Sequence, residues 1–220
     1  MKIKCIYLVL LLLNCNLLLS QTTGFSFLVG PSFPNSEVTE LFPNRIIETT
    51  DTSYSKLFAN YNNPNIGYNI SIRGGISLSE MADFYGGLGL HKFKVSTIEL
   101  NTLNINNTIG SMEMTTTVFP ISAGINYYIF RNKFGVYFNG TLDYNYSIYN
   151  LDKIDSKYIL KLSKSTASSS LGFTLGIGTA LELGKAAWII EVDYATINFL
   201  QNSTNNVSKN IISLKTGLKF

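Results

Sequence analysis

Ile66-Gly67-Tyr68-Asn69-Ile70-Ser71-Ile72-Arg73-Gly74-Gly75-Ile76-Ser77-Leu78 changes character at almost every step. Ile66, Tyr68, Ile70, Ile72, Ile76 and Leu78 fall on one side, with Gly74 among them. Gly67, Asn69, Ser71, Arg73, Gly75 and Ser77 fall on the other. Successive side chains of a strand point to opposite faces, so this is a strand with one greasy face and one small, polar face. The stretch from Leu171 to Leu183 repeats the pattern. Leu171, Phe173, Leu175, Ile177, Leu181 and Leu183 share a face with Thr179, against Gly172, Thr174, Gly176, Gly178, Ala180 and Glu182.

Six further segments follow the same rule: Gly24 to Phe33, Phe84 to Val95, Phe119 to Ile129, Val136 to Ile148, Trp188 to Tyr194 and Ile212 to Phe220. Polar links from Pro34 to Asn65, Thr97 to Ser111, Asn150 to Ser168 and Leu200 to Ser208 are long. Those at Ser79 to Asp83, Arg131 to Lys133 and Gly184 to Ala186 are short. Long loops at one rim and tight turns at the other are the layout of a membrane barrel. The expectation is an all-β fold: a closed, eight-stranded, antiparallel, up-and-down transmembrane barrel spanning residues 21–220. Both termini would be periplasmic, and the four long links would face outside the cell.

A soluble barrel or sandwich would also alternate, and would be a secreted β-protein. The composition of the two faces separates the readings. Here the polar face is mostly Gly, Ser, Asn and Ala, which suits the crowded interior of an eight-stranded barrel. The other face carries large Ile, Leu, Phe and Tyr over the roughly 9–11 residues a tilted strand needs to cross hydrocarbon. Only 14% of residues are charged, against about 25% in ordinary soluble domains. Aromatic residues gather near strand ends, as interfacial girdles require. Phe84, Tyr85, Tyr127, Phe130, Phe134, Trp188 and Phe220 are expected at the short-turn rim, and Tyr144, Tyr146, Tyr149 and Phe199 at the other.

Residues 1–20 read as a secretory signal peptide, with Lys2 and Lys4 ahead of an apolar run from Cys5 to Leu13 and Ser20 before Gln21. Asn14 and Asn16 break that run short of the ~20 residues of a spanning helix. Without Lys2 and Lys4 the balance is 15 basic against 14 acidic residues, which is no electrostatic footprint for nucleic acid. Both cysteines, Cys5 and Cys15, lie in the signal segment, so the rest of the chain offers neither disulfide nor cysteine metal site.

On the predicted faces Arg73, Glu182, Glu191, Asp193 and Lys215 point into the lumen. Arg73, Asp193 and Lys215 stand at similar heights above the short-turn rim. The last strand lies between the seventh and the first, so Lys215 can reach Glu191 or Asp193. Buried charges must be paired, and the expected role is an interior network that plugs the barrel. His91 is the single histidine. It has no partner motif for catalysis, and alone it is a poor metal ligand. No catalytic residue, metal site or cofactor is expected. Lys92 and Lys94 share a face with Leu88 and Leu90, where a mid-bilayer lysine would cost roughly 2–4 kcal/mol. They lie at the outer interface, or a bulge after Leu90 switches the phase; Phe93 and Val95 favour the bulge.

The signal ending at Ser20-Gln21, the eight alternating segments and the terminal Leu218-Lys219-Phe220 together resemble a family of outer-membrane β-barrels. It includes the PorT-like proteins and, more loosely, the small OmpA/OmpX-type barrels. The resemblance covers the chain from residue 21 onward. It implies that Thr216, Leu218 and Phe220 form the signal recognised by the barrel-assembly machinery. It also implies contact with outer-membrane lipid and lipopolysaccharide, and an extracellular or secretion-system protein partner. The expected function is non-enzymatic: an envelope-structural barrel or one that binds through its loops. A narrow porin-like channel and an accessory role in secretion are the alternatives.

Overall fold

The structure, a computed structural model, describes residues 23–35, 38, 46–48, 56–61, 65–102, 105–156, 165–199 and 208–220. The expected signal segment lies outside them. Ten strands follow in order: β1 (Thr23–Pro34), β2 (Ile46–Glu48), β3 (Lys56–Tyr61), β4 (Gly67–Ser79), β5 (Ala82–Thr102), β6 (Ile105–Arg131), β7 (Phe134–Ser156), β8 (Ser165–Leu183), β9 (Ala186–Thr196) and β10 (Asn210–Lys219). All pairings are antiparallel, and β1-β4-β5-β6-β7-β8-β9-β10 closes on itself into an eight-stranded barrel. β10 seals onto β1 with Phe27 opposite Leu218 and Val29 opposite Thr216. The backbones of Phe25 and Phe220 exchange both hydrogen bonds, at 3.0 and 2.8 Å. Closure matters in lipid because each unpaired backbone group there costs several kcal/mol.

The burial pattern is inside out. Along β7 the polar Asn139, Thr141, Asp143, Asn145 and Ser147 are buried, while Phe138, Leu142, Tyr144 and Tyr146 are exposed. Leu142 is 75% exposed and Glu191 not at all, an arrangement that only a hydrocarbon surround favours. Short turns tie the strands at the rim that also carries Thr23 and Phe220. At Gly184-Lys185 a two-residue turn places Gly184 at φ +74°, which only glycine adopts freely.

Several expectations are corrected. The predicted link from Thr97 to Ser111 is mostly strand, since β5 runs to Thr102 and β6 begins at Ile105. β7 likewise runs to Ser156, β8 starts at Ser165, and β2 and β3 occupy part of the first long link. Beyond Phe119, β6 turns Thr117, Thr115, Glu113 and Ser111 outward, so residues 105–117, about 40 Å of strand, rise past the apolar belt. There β3 joins the edge of β5, and β2 joins β3. No bulge follows Leu90. β5 keeps its register with β4 from Phe84 to Lys92, and the shift against β6 falls between Val95 and Ile98. Lys92 and Lys94 therefore stay outside, and Phe93 points inward, almost fully buried. Tyr85 and Tyr149 do not belong to the aromatic girdles: both are buried in the lumen, in phase with Gly87 and Ser147 respectively.

Candidate functional site

Among the described residues, the lumen is where the fold brings ionisable groups together against their solvation preference. Glu191 and Asp193 come from β9, Lys215 from the neighbouring β10, and Arg73 from β4, two strands beyond β10. The Arg73 guanidinium crosses to Glu191 with a two-pronged contact of 2.8 and 2.6 Å. Tyr137 donates its hydroxyl to the same carboxylate at 3.0 Å. Lys215 lies opposite Glu191 in the sheet but bonds diagonally to Asp193, which also accepts from the Asn139 amide at 2.8 Å. Arg73 stands 3.7 Å from Asp193 and 4.9 Å from the centre of the Tyr85 ring. Pairing and shared hydrogen bonds offset the large cost of taking these charges out of water.

Glycines on β8 make room for this layer. A methyl group at Gly178 would collide with the hydroxyl end of Tyr137, 2.3 Å from its Cζ, and one at Gly176 would strike the Asp193 carboxylate. The polar face of β8 is small because its neighbours' side chains fill the lumen in front of it.

Four of the five predicted lumen charges are thus brought together, and Glu182 is not. It is exposed beside the Gly184 turn, at the mouth of the barrel, where depth rather than face separates it from the network. A second ionic cluster was missed. Asp83 accepts from Arg131 at 2.8 Å, from Lys219 at 2.7 Å and from the Ser77 hydroxyl at 2.7 Å. Face parity marks Asp83 and Lys219 as lumen residues, but their nearness to the turns hid the partnership. Tyr128 reaches Asp83 at 3.2 Å and packs 5.2 Å from Tyr137, so two tyrosines bridge the clusters. Leu28 and Ile189 complete that middle layer.

Above the Arg73 layer, His91 shares a 3.1 Å hydrogen bond through Nδ1 with Ser32, which also bonds to Ser213 and accepts from Asn69. Ser32 is wholly buried, so this His–Ser pair has no access for a substrate. Higher still, Val38, Phe93, Val118, Ile197 and Ile211 form an apolar cluster toward the long-loop end. Among the described residues, no group of three or more His, Cys, Asp or Glu is placed to hold a metal ion. Thr216, Leu218 and Phe220 lie on the outward face of β10. Trp188 donates its indole N–H to Thr216 at 2.8 Å, and the Thr216 hydroxyl donates to the Ile189 carbonyl at 3.1 Å.

A closed eight-stranded antiparallel barrel, greasy outside and ionic within, is the small membrane-barrel class of the bacterial outer membrane. The chain belongs to the outer membrane protein beta-barrel domain family, whose model matches residues 20–220. Among solved structures it is similar to Neisserial surface protein A (NspA), with a TM-score of 0.53 at 11% identity, over 90% of this chain and 95% of that one. The attachment invasion locus protein Ail of Yersinia pestis, solved with the heparin analogue sucrose octasulfate, gives 0.47 at 13% identity over 90% and 99%. No curated protein matches the sequence.

Proposed function

We propose that this outer-membrane barrel is a closed, non-enzymatic scaffold that does not conduct and that presents its long-loop end to a partner outside the cell. The observation that carries the reading is the filling of the lumen. An ionic layer around Arg73 and Glu191 and an apolar cluster around Phe93 obstruct it at two different heights. Among the described residues, the surface left to meet a partner is the sheet of β2, β3, β5, β6 and β7 that rises past the apolar belt. On its outer side Lys94 and Glu113 pair at 3.1 Å, and Thr115 donates to Asp152 at 2.6 Å. Lys92 stands beside Tyr68 at the foot of this sheet, where lysine suits lipopolysaccharide phosphates. On this reading both termini face the periplasm, and the assembly machinery reads Thr216, Leu218 and Phe220.

Two measurements test it. In planar bilayers the purified protein is expected to give no steady single-channel current, and a reproducible conductance would overturn the scaffold reading in favour of a channel. Protease added to intact cells is expected to cut within 36–64 or 157–164; cuts at the Gly184 turn alone would invert the orientation.

A further inference from the structure

Charge inside a barrel must be balanced by other charge, and around the Arg73 layer the balance falls short by one. Asp143 of β7 is 4% exposed, and its carboxylate accepts from the hydroxyls of Thr141 at 2.8 Å and Thr174 at 2.6 Å. Among the described residues no Lys, Arg or His stands within 4.0 Å of it. The cations that share its part of the lumen are engaged elsewhere, Arg73 by Glu191 and Lys215 by Asp193. Three carboxylates, Asp143, Glu191 and Asp193, thus meet two cations, with His91 neutral at about pH 8 in the ordinary range of a histidine. One negative charge is left over. The opposite excess, Arg131 and Lys219 on Asp83, lies near the mouth with side chains 29% and 28% exposed, where solvent screens it.

Oxygen ligands face the same space. A cavity of about 40 Å³ is lined by Asp143 and by Asn69, Ser71 and Tyr85. The oxygens Asn69 Oδ1, Ser71 Oγ and Tyr85 Oη are each buried without a hydrogen bond. Asn69 is only 1% exposed, and its amide donates to the carbonyls of Gly30 and Pro31 and to Ser32. Those acceptors fix which way the side chain faces and leave its oxygen bare. A carboxylate has about four lone-pair sites, so Asp143 keeps about two after its threonines are served. Carboxylate, amide and hydroxyl oxygens together are the ligand set of a hard cation.

Charge and size choose among the occupants. Water could make the hydrogen bonds, but it would leave a carboxylate uncompensated away from solvent, which is costly. A divalent ion would overshoot by one and set an unbalanced positive charge beside Arg73 and Lys215. An organic ammonium is too large for a space of roughly three waters. An alkali cation both balances the layer and fits, with room for about two waters in its shell.

We propose that Asp143, Asn69 and Ser71 hold a single alkali cation, Na⁺ or K⁺, inside the lumen as the missing counter-ion of the buried network. The cation enters as the barrel folds and stabilises the closed form.

The test is urea unfolding and refolding of the full barrel in phosphatidylcholine vesicles at about pH 8 and constant ionic strength, with NaCl or KCl exchanged for choline chloride. Unfolding opens the lumen, so the cation equilibrates with its site whatever closes the folded barrel. By mass action, a cation bound with a Kd of about 10 mM raises the folding constant about tenfold at about 100 mM. At least one of the two alkali salts is expected to give that rise over choline. Asp143→Asn removes the charge, keeps the shape and is expected to abolish the rise. Should that variant not fold, Asn69→Ala is read instead, and its rise should be cut at least severalfold, whatever stability it loses in both salts alike. No difference between alkali and choline salts in the unmodified protein overturns the proposal. A rise that persists in full in the variant comes from the lipid surface or another site, and overturns it too. A larger rise with CaCl₂ at equal ionic strength, lost in Asp143→Asn, would make the site divalent and overturn the monovalent assignment.

Discussion

Glu191 has no exposed surface, and its charge is met by three short hydrogen bonds, two from Arg73 and one from Tyr137. Removing one member of such a pair strands the other in a dry site, at a cost of about 3–5 kcal/mol. Arg73→Met is therefore expected to lose that much stability in urea unfolding from lipid vesicles. The double variant Arg73→Met with Glu191→Met should recover most of the loss, because an apolar pair leaves no stranded charge. A double variant no better than the single would mean that the pair is not the source. Gly178→Ala should cost about 1–3 kcal/mol by forcing the Tyr137 ring aside, and the penalty should shrink in a Tyr137→Leu background. Parity along the strand was enough to name Arg73, Glu191, Asp193 and Lys215 from the sequence. Counting from the short-turn rim set Arg73, Asp193 and Lys215 at similar heights, but Glu182 was grouped with them by face alone, and it lies at the mouth. Parity also could not show that Arg73 reaches past β1 and β10, since that depends on the barrel's curvature.

Strand identity was legible wherever one face meets hydrocarbon, because there the contrast between Ile72 or Leu88 and their glycine and serine neighbours is greatest. Past the apolar belt the contrast fades. Thr115, Thr117 and Glu113 face outward, Thr116 faces inward, and a pattern read from apolar residues stops there although the backbone pairing continues. The same boundary predicts how arginine is tolerated. Leu88→Arg, in the belt, should lower folding stability in vesicles by about 2–4 kcal/mol, and Thr117→Arg, beyond it, by about 0–1 kcal/mol. Similar penalties at both sites would place the membrane boundary elsewhere. At the other end of the barrel, Phe220 closes β10 onto Phe25 through the backbone, so its ring is free to serve recognition. Phe220→Ser is accordingly expected to reduce the amount of assembled barrel in cells several-fold, while refolding in detergent stays near the level of the unmodified protein. Equal losses in both settings would assign the ring to stability instead.

At the scale of the whole barrel, the obstructions in the lumen stand in series, and this makes a prediction that neither makes alone. The ionic layer is centred on Arg73, and the apolar cluster is built by Phe93 of β5, Val118 of β6, Ile211 of β10, and Val38 and Ile197 from outside the barrel strands. Water and ions must pass both to cross. Arg73→Ala removes the side chain that spans the lumen but leaves the greasy cluster above it, where an ion finds no ligands and loses its hydration. Phe93→Ser loosens that cluster but leaves Arg73 clamped on Glu191. Each single variant is expected to stay as silent in a planar bilayer as the unmodified protein. The combination should give a conductance at least tenfold above the background of either. Current through Arg73→Ala alone would mean that the apolar cluster is no barrier. Silence of the double variant would mean that the tyrosine layer of Tyr128 and Tyr137 closes the lumen unaided.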